Sequence, residues 1–189
     1  RGSRATRDGG AIYLDKSICT LADYVDISGP GATSAPCVFG GGICALDSSV
    51  LLSNNVRLHG WHAGAGGGLA AQRSMLTLDD VTIGDTNYYM MNIAEAAGGG
   101  VYAYACTTRM IRCNVQVNGA MQGAGGGICI CGTGVCAITD SVVAENMVAN
   151  NGLGGGICGI LAVGAGVIDN TIIASNIATA HGGGMYWHG

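Results

Sequence analysis

Three carboxylates within seven residues, Asp79, Asp80 and Asp85, form the densest acidic group of this chain. Hard oxygen ligands of that kind suit a calcium ion, with backbone carbonyls completing the shell. Their spacing fits neither an EF-hand nor a repeat-in-toxin loop. The same acids also read as backbone fittings, with Asp80 at a corner, Asp79 facing solvent and Asp85 opening a turn. Bases are few: beyond the N-terminal arginines there are Lys16, Arg57, Arg73, Arg109 and Arg112. Arg109 and Arg112, joined by Arg57 or Arg73 of neighbouring repeats, would make a small basic spot for an acidic glycan. His59 and His62 bracket Trp61, while His181 and His188 lie near Trp187. Either set reads as a metal or sugar-stacking site, or as ordinary amphipathic loop filling. There is no GxxxxGK[ST], no GxGxxG opening a helix and no nucleophile elbow. Catalytic residues are therefore not assigned, and no cofactor is expected.

These side chains must be carried by a repetitive scaffold. Glycine supplies 35 of 189 residues, only 11% are charged and 49% are hydrophobic. An apolar interior is available, which argues against disorder. The glycines cluster instead of recurring every third residue, which excludes collagen. A net charge of −4 gives no basic footprint for nucleic acid. No apolar run reaches the 18 or so residues of a membrane-spanning helix, so membrane insertion is not expected.

The first glycines of seven clusters stand at Gly9, Gly40, Gly66, Gly98, Gly125, Gly154 and Gly182, at intervals of 31, 26, 32, 27, 29 and 28 residues. After each cluster comes an apolar residue: Ile12, Ile43, Leu69, Val101, Ile128, Ile157 or Met185. A second apolar-alternating stretch follows within each interval. Before it sits an amide or carboxylate: Asp23, Asn55, Asp80, Asn114, Asp140 and Asn170. Such residues tolerate left-handed corners and bond neighbouring backbone. Two short strands and two or three corners per 26–32 residues make one coil of a solenoid. The expected fold is all-β: a right-handed parallel β-helix of about six coils, roughly 30 Å long at 4.8 Å per coil. Residues 1–189 read as a single segment continuing into a longer chain or stacking on another copy. The six corner residues would then form a polar ladder.

Nine cysteines and one lysine suggest an oxidising, extracellular compartment. Cys106 and Cys113 are expected to bracket one corner, with Cys131 and Cys136 bracketing its equivalent on the next coil. Either pair would clip its loop. Cys129 and Cys158 both sit four residues after their first glycine, so they should stack on adjacent coils as a bridge or a thiol column. Reduced core residues are the alternative. Tyr88-Tyr89-Met90-Met91 reads as a protruding apolar loop, or one packed back on the coil.

Val143-Ala144-Glu145-Asn146 precedes the cluster at Gly154, and Ile173-Ala174-Ser175-Asn176 precedes that at Gly182. This pairing of GG[AG][ILV] with apolar-x-x-Asn resembles the repeats of chlamydial polymorphic outer-membrane proteins and related surface proteins. The resemblance implies a surface-exposed passenger or fibre segment with adhesive or structural roles. The function expected is a stiff extracellular or cell-surface shaft without enzymatic activity. Its partners would be other chains of a fibre or assembly, further coils, or glycans. The competing reading is a pectin-lyase-like polysaccharide lyase or hydrolase, or a glycan-binding module, on the analogy of fold alone.

Overall fold

Strands begin wherever a glycine cluster has turned the chain and alternating apolar residues resume. The computed structural model describes residues 5, 7–31 and 37–189, with only the main chain at 161–163. It is a parallel β-solenoid of about six turns, and every strand pairing is parallel. Among the described residues the only helical segment is a 3-10 turn, Tyr88–Met90.

Each coil is built from four strand segments where the sequence suggested two. The first face holds Ile12–Asp15, Ile43–Leu46, Leu69–Gln72, Val101–Tyr104 and Met185–His188, plus the opening halves of Ile128–Thr139 and Ile157–Asp169. The second face holds Ile18–Ala22, Thr107–Ile111 and the closing halves of those two long strands. Ser49–His59 and Met75–Ile83 run across the second and third faces. The third face adds Asp26–Ser28, Asn114–Gln116, Val142–Ala144 and Ile172–Ala174. A separate six-stranded sheet of short segments, from Cys37–Phe39 to Ile177–Ala178, closes each coil before the next glycine cluster.

The glycines meet two distinct demands. Every first glycine is left-handed, with φ between +58° and +65°. The second glycine of each cluster has no such φ; in all but the last cluster it lies against the main chain of the next coil, where a Cβ at Gly41 would strike the carbonyl of Gly67. The post-glycine residues form the expected in-register column, Ile12, Ile43, Leu69, Val101, Ile128, Ile157 and Met185. Four further fully buried residues, Leu52, Leu76, Leu78 and Met110, line the interior from the second face.

The corner between second and third faces is where the sequence placed its polar ladder. Asp23, Asn55, Asp80, Asp140 and Asn170 all sit there with positive φ. Asn114 does not: it lies in the strand Asn114–Gln116, paired with Thr82 and Val142, and Arg112 takes the corner at φ 49°. Asn170 donates to Asp140 at 2.6 Å and Asn54 to Asp23 at 3.1 Å, so the outer ladder has links but is not continuous.

Candidate functional site

The continuous polar file lies elsewhere, inside the wall, with all but its last rung out of contact with water. Asn92, Asn118 and Asn146 are 0–1% exposed, and Asn176 continues their line. Asn92 Nδ2 donates to Asn118 Oδ1 at 2.9 Å, Asn118 to Asn146 at 2.9 Å and Asn146 to Asn176 at 3.0 Å. Each Nδ2 also donates to a carbonyl of the preceding coil: Leu58, Ile83, Val115 and Val143. Trp61 heads the file. Its main-chain N–H donates to Asn92 Oδ1 at 3.1 Å, and its indole N–H reaches the Ile27 carbonyl at 3.0 Å, as an asparagine amide would. Trp61 is thus a buried end-piece of the file, not an aromatic platform between His59 and His62.

Two shorter files hold the corners. Ser17 N–H donates to Ser48 Oγ, Ser48 N–H to Ser74 Oγ and Ser74 N–H to Cys106 Sγ, at 3.1, 3.0 and 3.4 Å. At the next corner Cys113 N–H donates to Ser141 Oγ at 3.0 Å, and Ser141 N–H to Thr171 Oγ1 at 3.4 Å. Each of these hydroxyls or thiols donates to the carbonyl two residues before it. Cys106 and Cys113 therefore stand in the places of serines. They also flank the five-residue strand Thr107–Ile111, at two different corners. At about 3.3 Å per residue the strand holds them roughly 20 Å apart, so they cannot bridge. Cys131 and Cys136 do flank one corner, but Cys136 is buried in the main core while Cys131 packs outside the wall. All four are free thiols, as are Cys129 and Cys158.

The carboxylates are dispersed. Asp79 pairs with Arg112 at 2.6 Å, and Asp80 turns its corner. Asp85 Oδ1 accepts the Asn87 N–H at 3.0 Å, opening the loop of the 3-10 turn, while its Oδ2 lies 3.2 Å from Arg57. Among the described residues no group of three or more His, Cys, Asp or Glu is arranged to hold a metal ion. Asp47 binds Arg73 through two bonds of 2.8 and 2.7 Å, and that pairing lowers the Asp47 pKa. Arg57, Arg73 and Arg112 are thus each tied to an acid, and Arg109 stands between Thr77 and Ala137 on the second face. His59 is buried between Asp26, 2.9 Å from Nε2, and Asp85, 3.5 Å from Nδ1. His62 meets Glu95 at 2.6 Å. Trp187 packs against the core from the last strand, where a Cβ at Gly159 or Gly166 would strike its ring.

The loop of the 3-10 turn divides its roles. Met90 and Met91 lie back over Gly60 and Gly119, whereas Tyr88 and Tyr89 are 63% and 82% exposed. A groove of about 410 Å³ runs beneath it, lined by Tyr88, Met91, Glu145, Met147 and Ile177 among others.

A group of three thiols lies on the outer side of the first face. Cys129 and Cys158 are register partners on adjacent parallel strands, flanked in the same column by Tyr102 and Tyr186. Ala97, Ala124 and Leu153 cover them, leaving Cys129 at 3% and Cys158 at 0% exposed. Cys131, two residues along the same strand face, is half-buried, with Sγ 3.5 Å from Tyr102 Oη. The Cys129 thiol is placed to donate to either Cys131 or Cys158. A thiol carries one proton, so it serves one neighbour at a time. Those bonds keep Cys129 protonated well above the usual thiol range. The Cys129 bond and the Tyr102 hydroxyl bring Cys131 down to about 7, against the opposing effect of burial. The Cys129 bond also lowers Cys158. Burial alone pushes Cys136 up to about 12.

No family model matches the chain, and no curated protein or solved structure is significantly similar to it. The geometry therefore carries the functional argument by itself.

Proposed function

We propose that the chain is a structural or adhesive segment of an extracellular surface fibre or assembly, working as a stiff shaft. The observation that carries this reading is the buried file from Trp61 through Asn92, Asn118 and Asn146 to Asn176. A file that bonds each coil both to the next and to the carbonyls of the one before resists bending and sliding along the axis. The motif that resembles chlamydial polymorphic outer-membrane repeats has a structural part in this chain. The asparagine of apolar-x-x-Asn is the rung of the file, at Asn118 as well as at Asn146 and Asn176. Partners on this reading are other chains of the assembly, meeting its repetitive lateral surface.

Immunogold labelling of the native source with an antibody to this chain tests the proposal. Label along surface fibres or on the cell exterior is expected. Label confined to the cell interior overturns it. A glycan-binding role is the second reading, favoured by exposed Tyr88 and Tyr89 above the groove that holds Glu145. A glycan array on the whole chain and on its Tyr88→Ala, Tyr89→Ala variant separates the two. Binding lost with the tyrosines supports the second reading, and no binding by either protein removes it.

A further inference from the structure

The three thiols Cys129, Cys131 and Cys158 have an arrangement that a merely structural thiol column does not need. Two are sealed beneath Ala97, Ala124 and Leu153, and the third, Cys131, is half-open to solvent. An oxidant too large to pass that cover can meet only Cys131. The two buried thiols are in register on neighbouring parallel strands, about 4.8 Å apart at Cα, well inside the range a disulfide spans. Cys129 and Cys131 lie two residues apart along one strand, at about 6.6 Å, near the upper limit. The stable bridge is therefore the buried one, and the reactive position is the open one.

We propose that Cys131 is the receiving thiol of a thiol–disulfide relay that accepts a small-molecule disulfide and passes the oxidation inward to a Cys129–Cys158 bridge between coils. The Cys131 thiolate attacks one sulfur of the small disulfide, forming a mixed disulfide and expelling one small thiolate. Cys129, passing its proton to the first expelled thiolate, then attacks the Cys131 sulfur, forming Cys129–Cys131 and expelling the second small thiolate. Cys158, passing its proton to the second expelled thiolate, attacks the Cys129 sulfur, forming Cys129–Cys158 and returning Cys131 as thiolate. In sum two protein thiols lose two hydrogens, and one small disulfide becomes two thiols. Tyr102 Oη, 3.5 Å from Cys131 Sγ, is placed to hydrogen-bond the thiolate at the first and last steps. The depressed Cys131 pKa agrees with that order, since a thiol near neutrality attacks fastest at ambient pH. The inference stands on the cluster alone and goes beyond the surface-fibre reading.

The test uses the whole reduced chain and glutathione disulfide at pH 7.5. Samples are acid-quenched over time and their peptic peptides mapped by fragmentation without reduction. A loss of two hydrogens mapping to Cys129–Cys158, preceded by a glutathione adduct on Cys131, is expected. Cys131→Ser should reach the same bridge about tenfold more slowly or worse. Cys158→Ser should stop at the Cys131 adduct or the Cys129–Cys131 bond. First modification of a different cysteine while these three stay reduced overturns the proposal. So does bridge formation in Cys131→Ser at the unaltered rate. The mapping of the unmodified chain is decisive even if a variant fails to fold.

Discussion

Truncating Asn118 to alanine strands hydrogen-bonding groups where water cannot reach them. The amide of Asn92 loses its 2.9 Å acceptor, Asn146 Oδ1 loses a side-chain donor, and the carbonyl of Ile83 loses the amide that satisfied it. Each stranded buried group costs about 1–3 kcal/mol, partly relieved by local relaxation. Asn118→Ala should therefore lower stability by about 3 kcal/mol in urea unfolding. Asn170→Ala is the matched control. It removes one exposed bond, to Asp140, and should stay within about 0.5 kcal/mol. Equal costs for the two would mean that the buried file does not hold the coils. The contrast also marks what the sequence made readable. Asp23, Asn55, Asp80, Asp140 and Asn170 announce themselves because each comes shortly before an alternating apolar stretch of the sequence, and left-handed corners favour such residues. The file is harder to see because its rungs sit at no fixed distance from the glycines. Asn118 stands seven residues before Gly125, Asn146 eight before Gly154 and Asn176 six before Gly182. Asn92 stands six before Gly98 but is cut off from the strand before it by the inserted loop, and Trp61 occupies its equivalent in the coil before. Cys113 shows the same limit, since nothing in its type says that it replaces a serine; only the file Cys113, Ser141, Thr171 does.

At the scale of the element, the glycine clusters were legible from period alone, but their three positions do different jobs. Gly126 has no left-handed φ, yet a Cβ there would enter the carbonyls of Met147 and Gly155, both main chain and both fixed by pairing. Gly119 likewise needs no special φ, and an added Cβ clashes only with Met91 Cε at 2.8 Å, the far end of a flexible side chain, while the Met147 carbonyl stands at an ordinary 3.9 Å. Gly126→Ala should cost about 3 kcal/mol or more, since backbone must move on two coils. Gly119→Ala should stay within about 1 kcal/mol, Met91 swinging aside. Thermal and urea unfolding of the pair decides the matter, and a tolerated Gly126→Ala would show that the clusters do not set coil spacing. Strand number per coil was the element the sequence hid. The third-face and closing strands are two to six residues long in several coils, too short for alternation to register. The loop at Tyr88–Met90 further breaks the period in the coil that carries it.

At the scale of the whole molecule, a solenoid is only as strong as its weakest neighbouring pair of coils, because each coil touches only the next. Cys113 and Cys136 lie on adjacent coils in the middle of the chain, both in the main core, so whatever destabilises them divides the rod. Burial pushes Cys113 up to about 11 and Cys136 up to about 12, from an ordinary 9.0. Both are acids with raised folded-state values, so the folded chain holds these protons more tightly than the unfolded one. Below pH 9 the two states are equally protonated, and the contribution is fully present. Between pH 9 and 11–12 the unfolded thiols ionise while the folded ones do not, and stability falls as pH rises. Each thiol contributes a slope of about 1.4 kcal/mol per pH unit across that window. Urea midpoints collected from pH 7 to 11 should therefore be flat to about 9 and then drop steeply. Cys136→Ala should begin from lower stability, because it leaves a cavity, but should show a shallower alkaline slope by about one such increment. A slope unchanged by the substitution would place the alkaline sensitivity elsewhere, in the tyrosines or in the raised thiol of Cys44. A shallower slope would mean that the rod's spine is held as much by keeping water from its thiols as by the amide file beside them.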